Sequence, residues 1–144
     1  MIARIQKSMK EDEGFTLIEL LVVIIIIGIL AAIAIPIFLN QRKKAVDASM
    51  KADAKSIATA EETYAVDSPG NTYVGASSAA SATSMLISGT NSVQLSSGNA
   101  ATVTVGVRTG VFCVLVSNSN AGQSAWVYIS DKGGLQPVGT TVCS

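Results

Sequence analysis

From Phe15 to Leu39 the sequence reads FTLIELLVVIIIIGILAAIAIPIFL, a run whose only charged residue is Glu19. Its twenty-five residues, wound as an α-helix at 1.5 Å each, extend about 37 Å, enough to cross a hydrocarbon core of about 30 Å. The run therefore reads as a membrane helix. A carboxylate near the middle of a bilayer costs roughly 2.5 to 3.5 kcal/mol, so a plain anchor would gain by replacing Glu19. The presence of that acid points to a task beyond anchoring.

The whole chain has 144 residues, room for one modest domain, and its apolar content is concentrated at one end. Residues 40–144 are rich in Ser, Thr, Ala, Gly and Val, and their few aromatic side chains are Tyr64, Tyr73, Phe112, Trp126 and Tyr128. That composition supports only a small core. Ten basic and ten acidic residues balance, and no stretch has the dense Lys/Arg patch that phosphate binding demands. Nucleic acid is thus not indicated as a partner, and charge leaves room for only a modest affinity for DNA.

Histidine is absent, and the two cysteines, Cys113 and Cys143, stand thirty positions apart with no CxxC or Cys/His grouping. No zinc site is expected from them, and a Ser/His or Cys/His catalytic pair cannot form within one chain. Glu61 and Glu62 are adjacent on an expected helix, point in different directions, and read as a solvated face. The expectation is a protein that is not an enzyme and holds neither metal nor cofactor.

Charge does not orient the apolar helix, because Arg4, Lys7 and Lys10 precede it while Arg42, Lys43 and Lys44 follow it. Cysteine usage breaks the tie: two cysteines in a small domain with a weak core favour a disulfide, which persists outside the cytoplasm. A Cys113–Cys143 bond would add roughly 3 to 4 kcal/mol by restricting the unfolded chain. The alternative, two unrelated buried thiols, stays open at this point. On the disulfide reading the C-terminal part is exported and the N-terminus is cytoplasmic.

After Leu39 the helical pattern continues, with Val46, Met50, Ile57 and Tyr64 forming an apolar stripe. Lys43, Lys44, Asp47, Lys51, Lys55, Glu61 and Glu62 supply its polar side, and VDSPGN at 66–71 stops it. A continuous helix from Phe15 to Val66 would extend about 78 Å. Beyond it, TVTVGVRT (102–109), VFCVLVS (111–117) and SAWVYIS (124–130) read as strands. NSNAG and DKGG supply turns for antiparallel hairpins. One apolar face of such a sheet laid over the helical stripe makes an α+β head. Gly75–Ser84, rich in Ala and Ser, is expected to be a surface loop or short helix.

The segment GFTLIELLVVIIIIGILAAIAIP, preceded by a charged leader, closely resembles the processing site and N-terminal helix of type IV prepilins and the related type II secretion pseudopilins. The resemblance is strong over Gly14 to Pro36 and general over the remainder. It implies a leader peptide at 1–14, an assembly and transmembrane helix at 15–39, an amphipathic continuation at 40–67, and a β-sheet head at 68–144. It also implies cleavage between Gly14 and Phe15 by a prepilin peptidase, with N-methylation of Phe15. Unlike a secretory signal, the apolar helix would be retained. Glu19 would then neutralise the N-terminal amine of a neighbouring subunit, whose ordinary pKa of about 7.7 to 8 leaves it largely protonated. Two plainer roles stay open for Glu19: pairing with its own Phe15 at i,i+4 spacing, and snorkelling to the headgroups.

Gly28 and Pro36 weaken the helix between them, since proline removes a hydrogen bond and glycine lowers helix propensity by about 1 kcal/mol. In the resembled family this interval loses helical order in assembled fibres; a simple bend at Pro36 is the alternative. The implied function is a subunit of a homo-oligomeric type IV pilus, anchored in the cytoplasmic membrane and then displayed at the cell surface. An assembly platform and motor ATPases would drive it, for motility, adhesion or DNA uptake. A pseudopilin is the alternative. A secreted soluble binding module is a weaker one, resting on the A-x-A pattern of Ala32-Ile33-Ala34. The cysteine pair and the isolation of Asp131, which offers no oxygen cage for calcium, favour the pilus.

Overall fold

The computed structural model describes residues 14–88, 91–106 and 110–143. Most of the expected leader, with Arg4, Lys7 and Lys10, lies outside the described residues, as does Val107 of the first expected strand. A single helix, α1, runs from Leu17 to Asp67, 51 residues with Pro36 inside it. It ends at the Ser68-Pro69-Gly70-Asn71 stop, where Gly70 (φ 89°) and Asn71 (φ 51°) turn the chain through the left-handed region. The chain divides into two compact units between Leu39 and Asn40. In the first, the large apolar side chains from Leu17 to Leu39 are 43% to 81% exposed among the described residues.

The second unit joins the remainder of α1 to seven strands among the described residues: β1 (Ala76–Ser78), β2 (Ser84–Ser88), β3 (Asn91–Gln94), β4 (Ala100–Val105), β5 (Phe112–Ser117), β6 (Ala125–Ile129) and β7 (Gly134–Leu135). Five form an antiparallel sheet in the order β1-β4-β5-β6-β7, and β2 and β3 form a separate hairpin. The three strands expected from sequence are β4, β5 and β6, its central members. Part of the Gly75–Ser84 stretch departs from expectation: Ala76–Ser78 is an edge strand paired with Val103, Thr102 and Ala101. Ala and Ser are poor strand formers, so its conformation is set by the free edge of β4 and not by its own propensity. The β2–β3 hairpin was not anticipated, although Met85, Ile87 and Val93 are buried and SMLIS alternates as a half-buried strand does.

Central strand β5 is buried on both faces, which replaces the expected single apolar face by two cores. Its even positions, Phe112, Val114 and Val116, join Trp126 of β6 against Met50, Ala54, Ile57 and Ala58 of α1. Tyr73 and Tyr128 flank Phe112 with ring centroids 4.7 and 6.0 Å away, and Lys51 lies 4.0 Å over the Trp126 ring. Odd positions form a smaller cluster of Cys113, Val127 and Ile129 with Val111, against which Leu115 and Cys143 pack. Full burial of each such aliphatic side chain contributes about 1.5 to 3 kcal/mol.

Candidate functional site

Gly14 and Phe15 lie outside the helix and are exposed. A Cβ added at Gly14 would meet nothing within 4 Å. Packing among the described residues therefore places no demand for glycine there. Thr16 caps α1, and Glu19 completes the cap. Its Oε2 accepts from the Thr16 N–H at 2.9 Å and the Thr16 hydroxyl at 2.6 Å, while the Glu19 N–H donates to Thr16 Oγ1 at 3.3 Å. This is a reciprocal capping box, satisfying two helix-end donors that would otherwise lack partners. Its signature, T-x-x-E at 16–19, was legible in the sequence and was missed. In the uncleaved chain Glu19 engages Thr16, while the Phe15 nitrogen is still in its peptide bond to Gly14.

Gly28 and Pro36 both sit inside α1, which continues through them, and nothing lies within 4 Å of a Cβ placed on Gly28. Ala32-Ile33-Ala34 is helical as well. Cys113 and Cys143 form a disulfide with Cα atoms 5.8 Å apart, covering the smaller cluster with the C-terminal segment.

Three acids on α1 hold the loops of the head by their main chain. Asp47 Oδ1 accepts from the N–H groups of Gly122 (3.1 Å) and Gln123 (2.9 Å). Asp53, buried, accepts from the Ser96 N–H (2.9 Å), the Ser96 hydroxyl (3.0 Å) and the Asn99 amide (2.6 Å). Asn99 in turn accepts from Asn118 at 2.7 Å. Glu61 Oε2 accepts from the Val74 N–H at 3.1 Å.

Glu61 corrects the sequence reading: only Glu62 is solvated, while Glu61 is fully buried. It follows Ile57 by four residues and precedes Ala65 by four, so it belongs to the buried stripe. Its Oε1 has no hydrogen-bond partner among the described residues. Burial pushes its pKa above 4.5, opposed by the Val74 amide and reinforced by Glu62. The folded state therefore binds this proton more tightly than the unfolded chain, so stability falls as pH rises from about 4.5 through the raised folded value. Glu61→Gln should remove that dependence and lift the melting temperature near neutral pH by a few degrees, about 1 kcal/mol, with no gain near pH 4.5. Thermal melts of the two proteins at both pH values check this; equal melting near neutrality would count against it.

A shallow groove of about 460 Å³ beside the β5–β6 connection is lined by Ser117, Asn118, Ser119, Gln123 and Ser124, with alanines and Gly98. No titratable side chain lines it. Among the described residues no three His, Cys, Asp or Glu side chains gather as metal ligands. The chemically distinctive features are thus the junction at Gly14, the capped apolar helix and the disulfide.

The family described as the prokaryotic N-terminal methylation motif matches residues 9–35. The chain is 32% identical over 136 residues to the type IV wide pilus major component PilA4 of Thermus thermophilus, covering 94% of this chain and 95% of that protein. It is 41% identical over 61 residues to the type IV major pilin protein PilA of Myxococcus xanthus, covering 42% of this chain and 28% of that one. With the type II secretion system core protein G of Pseudomonas aeruginosa it shares 41% identity over 58 residues, covering 40% of this chain and 41% of that protein. No solved structure matches the chain. The chain belongs to the type IV pilin family, whose named relatives here are structural proteins of pili and of a secretion system.

Proposed function

We propose that this chain is the building subunit of a type IV pilus, held in the cytoplasmic membrane by residues 15–39 and then packed into the filament through the same surface. The observation that carries it is the exposure of every large apolar side chain from Leu17 to Leu39. An apolar surface of that extent needs lipid or neighbouring chains to cover it. The same helix serves both, with no net loss of burial on leaving the bilayer. The near-complete match to a pilus component favours the pilus over a pseudopilin, since the match to the secretion protein is confined to 40% of this chain.

On this reading residues 1–14 are a leader, cut by a prepilin peptidase between Gly14 and Phe15, and the Phe15 amine is methylated. Residues 68–144, with the amphipathic continuation at 40–67, form the exported head. Motor ATPases on the cytoplasmic side drive assembly; motility, adhesion and DNA uptake are the tasks such a filament serves. Mass spectrometry of protein sheared from cells should give a chain beginning at methylated Phe15. Gly14→Val should accumulate as uncut precursor in the membrane, an effect on the peptidase, since Gly14 has open space around it. A mature chain beginning at Ile35 would overturn the proposal in favour of a soluble module.

A further inference from the structure

Charge is nearly absent from the strand-bearing part of the chain. Residues 68–130 contain a single charged residue, Arg108, where soluble domains average about a quarter. The sheet face turned away from α1 carries no charge on any of its strands. Register places Ser77, Thr102 and Leu115 in one row of that face and Ala100, Ser117 and Ala125 in the next. The groove beside the β5–β6 connection begins at this second row, since Ala100 and Ser117 line it. Its lining is held in place from α1. Asn118, only 8% exposed, donates to Asn99 Oδ1 and accepts from the Asn120 N–H at 2.9 Å, and the fully buried Asn99 donates to Asp53. Gly98 (φ 82°) lets the β3–β4 loop come close, for a Cβ there would lie 3.1 Å from Asn118 Nδ2. Asp47 fixes the Gln123 main chain. By contrast, the side-chain polar groups of Ser117, Ser119, Gln123 and Ser124 make no hydrogen bond among the described residues, and the second amide hydrogen of Asn118 has no acceptor there.

We propose that this groove binds a neutral polyhydroxylated ligand, a short stretch of uncharged polysaccharide. Hydroxyl and carboxamide side chains each donate and accept, as sugar hydroxyls do, so the two sets can pair in either sense without leaving a donor stranded. Ala80, Ala100 and Ala121 set small apolar patches among them for the C–H faces of the rings. A volume of about 460 Å³ lies within the range of sites that hold small ligands. Other ligand classes fit less well. An anionic ligand would find no cation in the lining, and a peptide would find no deep apolar pocket for an anchor side chain. Because the polar side chains are held on loops whose main chains are already fixed by Asp47, Asp53 and Asn99, little order has to be gained on binding. The proposal rests on the filament reading only for display of the groove at the cell surface, and it gives the adhesive task of such a filament a ligand class.

The test is calorimetric titration of the full chain, solubilised in a detergent without a sugar headgroup, with neutral hexasaccharides of glucose, mannose, galactose and N-acetylglucosamine. At least one should bind, with an affinity that does not change between low and high salt. Gln123→Ala with Ser124→Ala should weaken it by roughly tenfold or more and leave the melting temperature alone, since neither side chain is bonded within the described chain. Thr104→Ala, on the same sheet face but outside the groove, should leave the affinity unchanged. Ser124→Cys gives a readout that does not depend on the variant's folding: alkylation of the folded protein with a bulky maleimide should abolish binding, the two native cysteines being tied in their disulfide. Binding of none of the four sugars would overturn the proposal. So would an affinity that falls with salt, which would assign the sugar to the charged side of α1, or full affinity in the double variant or the alkylated chain. A loss in Thr104→Ala equal to that of the double variant would place the ligand on the open sheet and overturn it too. Since the solubilised chain is titrated, absence of filaments from cells would fault the filament reading and not the groove.

Discussion

Glu19→Ala should enter the membrane and be cleaved at least as well as the wild type, yet leave filaments scarce at the cell surface. Removing a charge makes the helix a better membrane resident, so loss of filaments would locate the carboxylate's task in assembly. The capping box complicates the comparison, because the same substitution strips Thr16 of two hydrogen bonds and weakens the helix start by about 1 kcal/mol. Thr16→Val separates the two effects. It removes the hydroxyl partner and keeps the acid, so near-normal filaments from Thr16→Val beside few from Glu19→Ala assign the loss to pairing with a neighbour's amine. Glu19→Gln refines this: it keeps hydrogen bonding without charge, and a loss equal to that of Ala points to charge pairing. Normal yields in both Glu19 variants would remove the intersubunit role.

Replacing both cysteines, Cys113→Ala with Cys143→Ala, should give the largest loss of stability in the head. Freed from the bond, the unfolded chain gains entropy worth roughly 3 to 4 kcal/mol. The C-terminal segment is also released from the Val111, Val127 and Ile129 cluster that it covers. For a unit of about 100 residues each kcal/mol moves the melting temperature by about 4 to 8 °C, so the fall should exceed about 12 °C. Melting of the detergent-solubilised chain, with and without reductant, measures it: reductant should lower the wild type and leave the double variant alone. A wild type that melts equally in both conditions would show that the bond contributes little.

Legibility from sequence followed the strength of each periodic signal. The helix from Leu17 to Asp67 was readable because its apolar run to Leu39 carries no charge but Glu19, an apolar stripe continues it, and its stop carries Pro69 and Gly70. The central strands were readable because Val, Phe, Trp and Tyr crowd into short runs. The edge strand at Ala76–Ser78 was not, since its order is borrowed from β4 through hydrogen bonds that composition does not record. Glu61 was misread for a related reason. A charged residue was assigned to water by its type, although its spacing from Ile57 placed it on the buried face. The capping role of Glu19 was overlooked through attention to the amine at Phe15, although the T-x-x-E spacing already offered Thr16.

Asp47, Asp53 and Glu61 reach past side chains to grasp main-chain N–H groups at Gly122, Gln123, Ser96 and Val74. Every residue except proline carries that donor. The three loops are thus moored to the helix by atoms that substitution does not change, and their side chains are free to diverge. Gly122 is an exception, because a Cβ there would lie 2.7 Å from Asp47 Oδ2, and so are Ser96 and Asn99, whose side chains also donate to Asp53. Proline at 74, 96, 122 or 123 would cut a mooring. The rest of the loop surface can be rewritten, lineage by lineage, without disturbing the rod beneath it.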